Sequence, residues 1–146
     1  ACAFHYDRLK QQPEKFSKGV YERMTTGFSY TNIDYANAIR AREIWKQALF
    51  KVFNSVDIIL SPTLPTLVPP VEEDKSLLQA TKDATRNTYA GALGQIPGLS
   101  IPCGFTSDGL PIGLQLEAAW WKDPLLLRAG YTFQRETDWH LKTPKI

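Results

Sequence analysis

The chain of 146 residues is 43% hydrophobic and 22% charged, a balance that suits a folded core and excludes a disordered chain. Its 17 basic and 15 acidic residues give a net charge of +2, with the basic residues scattered, so there is no electrostatic footprint for nucleic acid. No apolar run is long enough to cross a bilayer, and Ala1–His5 lacks the charged-then-apolar order of a signal peptide.

Along the chain, residues 1–30 read as one or two helices broken by Pro13 and ended by Gly27. Residues 33–53 give the strongest helical signal. Ala38, Ala41, Trp45, Ala48 and Val52 recur at steps of three and four, with Ile44 and Leu49 widening the stripe. Thr31 or Asn32 caps this helix, and Asp34 sits where the helix dipole favours a negative charge. Residues 56–60 form a short apolar run that predicts a strand buried on both faces, as in a parallel sheet, ending at Pro62 because proline has no N–H for a ladder. The proline-rich stretch Pro62–Pro70 predicts an extended loop, and Glu72, Glu73 and Asp74 read as solvated loop charges. Residues 76–93 predict one weaker helix, terminated by Gly94. Leu99, Ile101, Cys103 and Phe105, then Leu110, Ile112, Leu114 and Leu116, alternate on either side of Thr106-Ser107-Asp108-Gly109. This predicts a hairpin with one strongly apolar face. Asp123-Pro124 opens a last helix over 123–138, with Leu126, Ala129 or Gly130, and Phe133 buried. The order of elements is that of an α/β fold with few strands.

The residues offer little catalytic chemistry. No Gly-x-Ser-x-Gly elbow and no phosphate-binding Gly-x-x-x-x-Gly-Lys pattern occurs. Ser61 follows a strand, where a hydroxyl more commonly closes the strand by bonding to backbone. Cys103 falls in an apolar alternating set with no basic neighbour, the setting of an inert packing thiol. Cys2 and Cys103 are too few and too far apart for a disulfide scaffold or a zinc site, which predicts reduced thiols and a cytoplasmic setting. His5 and His140 lie near opposite ends with no metal-ligating grouping around them. Arg23 precedes the small residues Thr25-Thr26-Gly27, so a ligand contact is weighed there against an ordinary exposed helix arginine.

Three segments in order carry a resemblance: Val56-Asp57-Ile58-Ile59-Leu60-Ser61-Pro62-Thr63-Leu64-Pro65, then Ile96-Pro97-Gly98-Leu99-Ser100-Ile101-Pro102-Cys103-Gly104-Phe105, then Asp108-Gly109-Leu110-Pro111-Ile112-Gly113-Leu114-Gln115-Leu116. Each is weak alone, but together they resemble the C-terminal part of the amidase signature family, over roughly residues 20–140. The resemblance implies a single partial domain over residues 1–146, part of an α/β/α mixed-sheet domain with 56–60 as an inner strand. It implies a parent enzyme in which a serine attacks an amide carbonyl, backbone N–H groups hold the oxyanion, and a second serine and a lysine relay the proton. Those residues belong to a Gly/Ser-rich signature and an upstream lysine. No such run occurs here, so no catalytic residue is assigned and the isolated chain is expected to be inactive, its missing part preceding residue 1.

The substrate-facing positions implied are Arg23, Pro62, Thr63, Gln95 and Ile96, with no metal and no cofactor. The family's Asn-x-x-Gly-x-Pro is here Ala92, Gln95 and Pro97. Where the family's glutamine-using amidotransferase member carries an aspartate for the substrate amino group, this chain has Thr85, which favours a less polar amide. The alternatives are the A subunit of a glutamine-dependent tRNA amidotransferase and a non-catalytic binding or assembly module. Expected partners are a small-molecule amide and the missing N-terminal part or a second chain, with neither nucleic acid nor membrane involved. Unpaired sheet edges further predict association, with another copy of the chain among the expected partners.

Overall fold

The computed structural model describes residues 1–68 and 77–143. Helices α1 (Tyr6–Gln11) and α2 (Lys18–Thr25) flank a 3-10 turn at Pro13–Lys15, so the chain breaks where proline removes a helical donor. Helix α3 (Asn32–Phe53) starts at a complete capping box. Thr31 Oγ1 accepts from the Asp34 N–H at 3.1 Å, and Asp34 Oδ2 accepts from the Thr31 N–H at 2.8 Å. The Thr31 N–H and, secondarily, the Thr31 hydroxyl, which donates to the same Oδ2 at 2.7 Å, favour the ionised carboxylate and hold Asp34 below its usual pKa.

The side of α3 that meets the protein is turned from the expected stripe. Leu49 is buried and Ile39, Trp45 and Phe53 are half-buried, whereas Ala38, Ala41, Ala48, Val52 and Ile44 are exposed. The half-buried positions also include Arg42 and Lys46, whose long stems cover apolar surface, and this displaces the interior face from the all-apolar stripe.

The sheet has three strands in the order β1-β3-β2: β1 (Ile58–Pro62), β2 (Gly98–Phe105) and β3 (Pro111–Ala118). Both pairings are antiparallel, with Leu60 opposite Leu116 and Leu116 opposite Leu99. The strand expected to lie inside a parallel sheet is therefore an edge strand among the described residues, and Leu60 is 63% exposed. Backbone pairing runs one residue past Pro62, through Thr63 N–H to Gly113 O at 2.8 Å, because Thr63 restores the donor that proline lacks. The hairpin lies where alternation places it. Thr106 O accepts from Gly109 N–H, Thr106 Oγ1 from Leu110 N–H, and Gly109 has the positive φ of 82° that the turn needs. A register shift between Pro102 and Gly104 leaves Cys103 at a bulge.

The described part of the segment predicted as one helix, residues 77–93, forms two, α4 (Leu77–Ala84) and α5 (Tyr89–Gly94). The turn between them closes on its own hydroxyls. Thr85 Oγ1 donates to Thr81 O at 2.6 Å and Thr88 Oγ1 to Thr85 O at 3.0 Å, competing with helix continuation. Helix α6 (Asp123–Glu136) begins one residue earlier than its proline signal implies, with Lys122 at the cap position. The run Glu72-Glu73-Asp74 lies outside the described residues.

One face of the sheet packs on α6. Ile101, Leu116, Ala118 and Leu126 are buried there, with Ile58, Leu99, Leu114 and Phe133 around them. The opposite face meets α5, which in turn packs on α3, with Trp45 Nε1 donating to Ala90 O at 2.8 Å and Trp120 Nε1 to Gly94 O at 3.0 Å. The layers are thus α6, sheet, α5, α3.

Replacing Thr31 with alanine removes the two bonds of its hydroxyl, to the Asp34 N–H and to the Asp34 carboxylate, and leaves only the backbone N–H of residue 31 on Asp34 Oδ2. The expected outcome is a loss of about 1 kcal/mol in unfolding free energy, read as a lower urea midpoint at an unchanged slope.

Candidate functional site

The register of the sheet places the odd-numbered residues of β3 on the α5 face. Gln115 stands between Ser61 of β1 and Ser100 of β2, and Glu117 between Ile59 and Gly98. This polar row is covered: Gln115 is 5% exposed and Glu117 8%. The close approach of α5 makes the cover possible, since a Cβ on Gly91 would collide with Glu117 Oε1.

At the C-terminal end of β1 the chain leaves the sheet under several restraints. Thr63 Oγ1 lies 2.6 Å from Ser100 Oγ, and a side chain on Gly113 would meet Thr63 Oγ1 at 2.7 Å. Pro62 O accepts from Asn87 Nδ2 at 2.8 Å, and Asn87 O accepts from Gln115 Nε2 at 3.3 Å. Beyond this anchor a cavity of about 330 Å³ opens, walled by Pro62, Leu64, Leu67, Val68, Pro111 and Ile112. Apart from Thr66 its side chains are apolar and none is charged, so it suits an uncharged hydrocarbon group.

The expected site residues do not converge on one cavity. Pro62 lines the one just described, while Thr63 is turned onto the polar face of the sheet and fixes the segment beside it. Gln95 lies with Lys46, Phe50, Trp120 and Trp121 around a separate open cleft. It has left-handed backbone geometry (φ 58°), and its Oε1 accepts from Lys46 Nζ at 3.5 Å. Ile96 is half-buried beside Gly91. Arg23 lines a third cleft with Cys2, Val20 and Gly27, and its guanidinium reaches Thr81 Oγ1 at 3.5 Å. Arg23 thereby comes to the helical turn that ends in Thr85. Ser61 is an ordinary strand residue opposite Gln115, and its hydroxyl forms no bond to backbone among the described residues. Cys103 is half-buried, its Sγ 3.5 Å from Ile112 O. A further cavity at the start of α3, about 650 Å³ between Gly27, Tyr30, Asp34 and Tyr35, contains none of the motif residues. No grouping of three metal-ligating side chains occurs among the described residues.

Asn87, Gln115 and Glu117 were not among the site residues expected from sequence. Gln115 and Glu117 read as the solvent-facing half of an alternating strand. The signal available was indirect: Gly91 and Gly94 inside a short helix mark where a helix approaches something closely.

The Amidase family model matches residues 10–127. The A subunit of glutamyl-tRNA(Gln) amidotransferase from Methanosarcina barkeri (strain Fusaro / DSM 804) is 37% identical over 142 residues, 92% of this chain and 29% of that protein. Its counterpart from Trichormus variabilis (strain ATCC 29413 / PCC 7937) is 37% identical over 117 residues, 80% of this chain and 24% of that protein. Among solved structures, a crystal structure of an amidase matches with a TM-score of 0.82 at 29% identity, covering 93% of this chain and 32% of that one. A vestigial protein complex bearing on the evolutionary origins of an s-triazine catabolic enzyme matches with a TM-score of 0.85 at 26% identity, covering 97% and 32%. The chain spans less than a third of the length of each of these proteins. No helix among the described residues is long and apolar enough to cross a membrane.

Burial raises the pKa of Glu117 above its ordinary 4.5, and a hydrogen bond from the Gln115 amide works against that rise. In the window above 4.5 the folded protein keeps a proton that the unfolded chain releases, so stability falls as pH rises through it and levels off beyond the folded value. Glu117→Gln is expected to lose that slope and to unfold at a higher temperature than the parent at pH 7, with no such advantage at pH 4. Thermal unfolding of both proteins across pH 4–8 checks this.

Proposed function

Because the chain belongs to the amidase signature family, we propose that it forms the C-terminal portion of a serine amidase that hydrolyses an apolar carboxylic amide to an acid and ammonia or an amine. The observation that carries this reading is the apolar cavity at the exit of β1, bounded by two of the three motif segments. It holds the acyl group, with Pro62 in its wall and Thr63 anchoring the segment that forms it. Serine, second serine and lysine lie in the larger part of the enzyme, since the present sequence has no Gly/Ser-rich run. Arg23 and Gln95 contact substrate where that further protein closes the clefts around them, and Ile96 does so beside Gln95.

Thr85 supports an apolar substrate over glutamine. Its hydroxyl is committed to Thr81 O, and it brings no charge to meet an ammonium group. The remaining protein packs on the outer edge of β1 and on exposed Leu60, where an unpaired strand edge calls for a neighbour; in its absence a second copy of this chain would take that place. Two unpaired thiols, Cys2 and Cys103, agree with a cytoplasmic enzyme. A second reading, the A subunit of an amidotransferase, is favoured by the identity of 37% to proteins of that name.

The natural full-length protein containing this chain is expected to release ammonia from hexanamide with a higher kcat/KM than from L-glutamine. Faster release from glutamine, increased by partner proteins, would establish the second reading. Absence of turnover with any amide would leave the non-catalytic module.

A further inference from the structure

We propose that Gln115 and Asn87 are positioning residues for the acyl cavity: together they brace the Pro62–Val68 segment and so set which acyl groups fit. This rests on the amide-hydrolase reading above. The brace begins at the middle of the sheet. Gln115 is fixed there because β3 is paired on both edges and its side chain is covered, leaving it 5% exposed. Its Nε2 donates to Asn87 O at 3.3 Å. Asn87 belongs to the turn between α4 and α5, which Thr85 and Thr88 already tie down through their hydroxyls. The Asn87 side chain then donates to Pro62 O at 2.8 Å.

Each link has a chemical reason. The Pro62 carbonyl needs a donor, and the Asn87 amide supplies one that an aspartate would not. A glutamine at 115 likewise donates where a glutamate would set an acceptor against the Asn87 carbonyl. The next residue, Thr63, is pinned from the other side by Gly113 O and Ser100 Oγ. Two consecutive residues are thus held by three elements, and the cavity wall starts there. Neither Gln115 nor Asn87 lines the cavity, so both act through Pro62.

The test uses the natural full-length protein with Asn87→Asp, Gln115→Glu and the volume-conserving Gln115→Met. Hydrogen exchange over residues 60–68 and steady-state kinetics on acetamide and hexanamide are measured for each variant that retains a cooperative thermal transition. Loss of one hydrogen bond of the brace predicts exchange at the Thr63 amide faster by about tenfold. Selectivity for hexanamide over acetamide in kcat/KM falls by a similar factor, mainly through KM for hexanamide. Asn87→Asp combined with Gln115→Met adds little to either single change, because both break one chain of bonds. Unchanged exchange over 60–68 in the folded variants overturns the brace. Faster exchange with unchanged selectivity, or equal losses for both amides through kcat, overturns its role in acyl selection. If the parent enzyme hydrolyses neither these amides nor any other, the hydrolase reading fails and the selectivity role fails with it, while exchange still decides whether the brace exists.

Discussion

The double pairing of β3 is the constraint on which the rest depends. A strand bonded on both edges cannot rotate or slip without moving every side chain to the other face. Its even-numbered residues therefore go to the α6 core and its odd-numbered ones to α5. Leu116 and Ala118 make the first commitment, by ordinary apolar burial. Gln115 and Glu117 make the second, and there the protein hides polar atoms at a cost that hydrogen bonds only partly offset.

The two faces have different tasks. The apolar face supplies cohesion: Leu126 and Phe133 of α6 fill it without directional bonds. The polar face supplies direction. Its hydroxyls and amides fix where β1 ends and how the α4–α5 turn sits, because a hydrogen bond constrains angle as well as distance. The cavity wall beyond Pro62 inherits its placement from that face. The polar rows of the sheet thus organise the pocket without entering it.

Much of this was legible in the sequence, for identifiable reasons. The hairpin follows from alternation plus Thr106–Gly109 turn chemistry, and α3 from its cap at Thr31 and Asp34. The family came from three ordered motifs. Other features depend on packing that no local pattern records. The stripe on α3 was displaced because Arg42 and Lys46 lie toward the interior, and apolar periodicity does not count their stems. The single helix over 76–93 became two because threonines at 85 and 88 bond to backbone within the turn. β1 reads as an inner strand from its apolar run, yet only one of its edges is paired among the described residues. At the candidate site, Pro62 and Thr63 were visible through their motif. The bracing roles of Gln115 and Asn87 were not, since they exist only after strands and helices distant in sequence have met.

That distance has a temporal side. β2 and β3 are neighbours in sequence and close through one short turn, so their ladder forms at little cost in chain entropy. β1 reaches β3 only across the whole stretch that contains α4, α5 and β2. Contacts of such long range come late in folding, after the local hairpin has formed. β1 is accordingly expected to join the sheet after the hairpin, so that the pocket wall that follows it takes shape on a scaffold already standing.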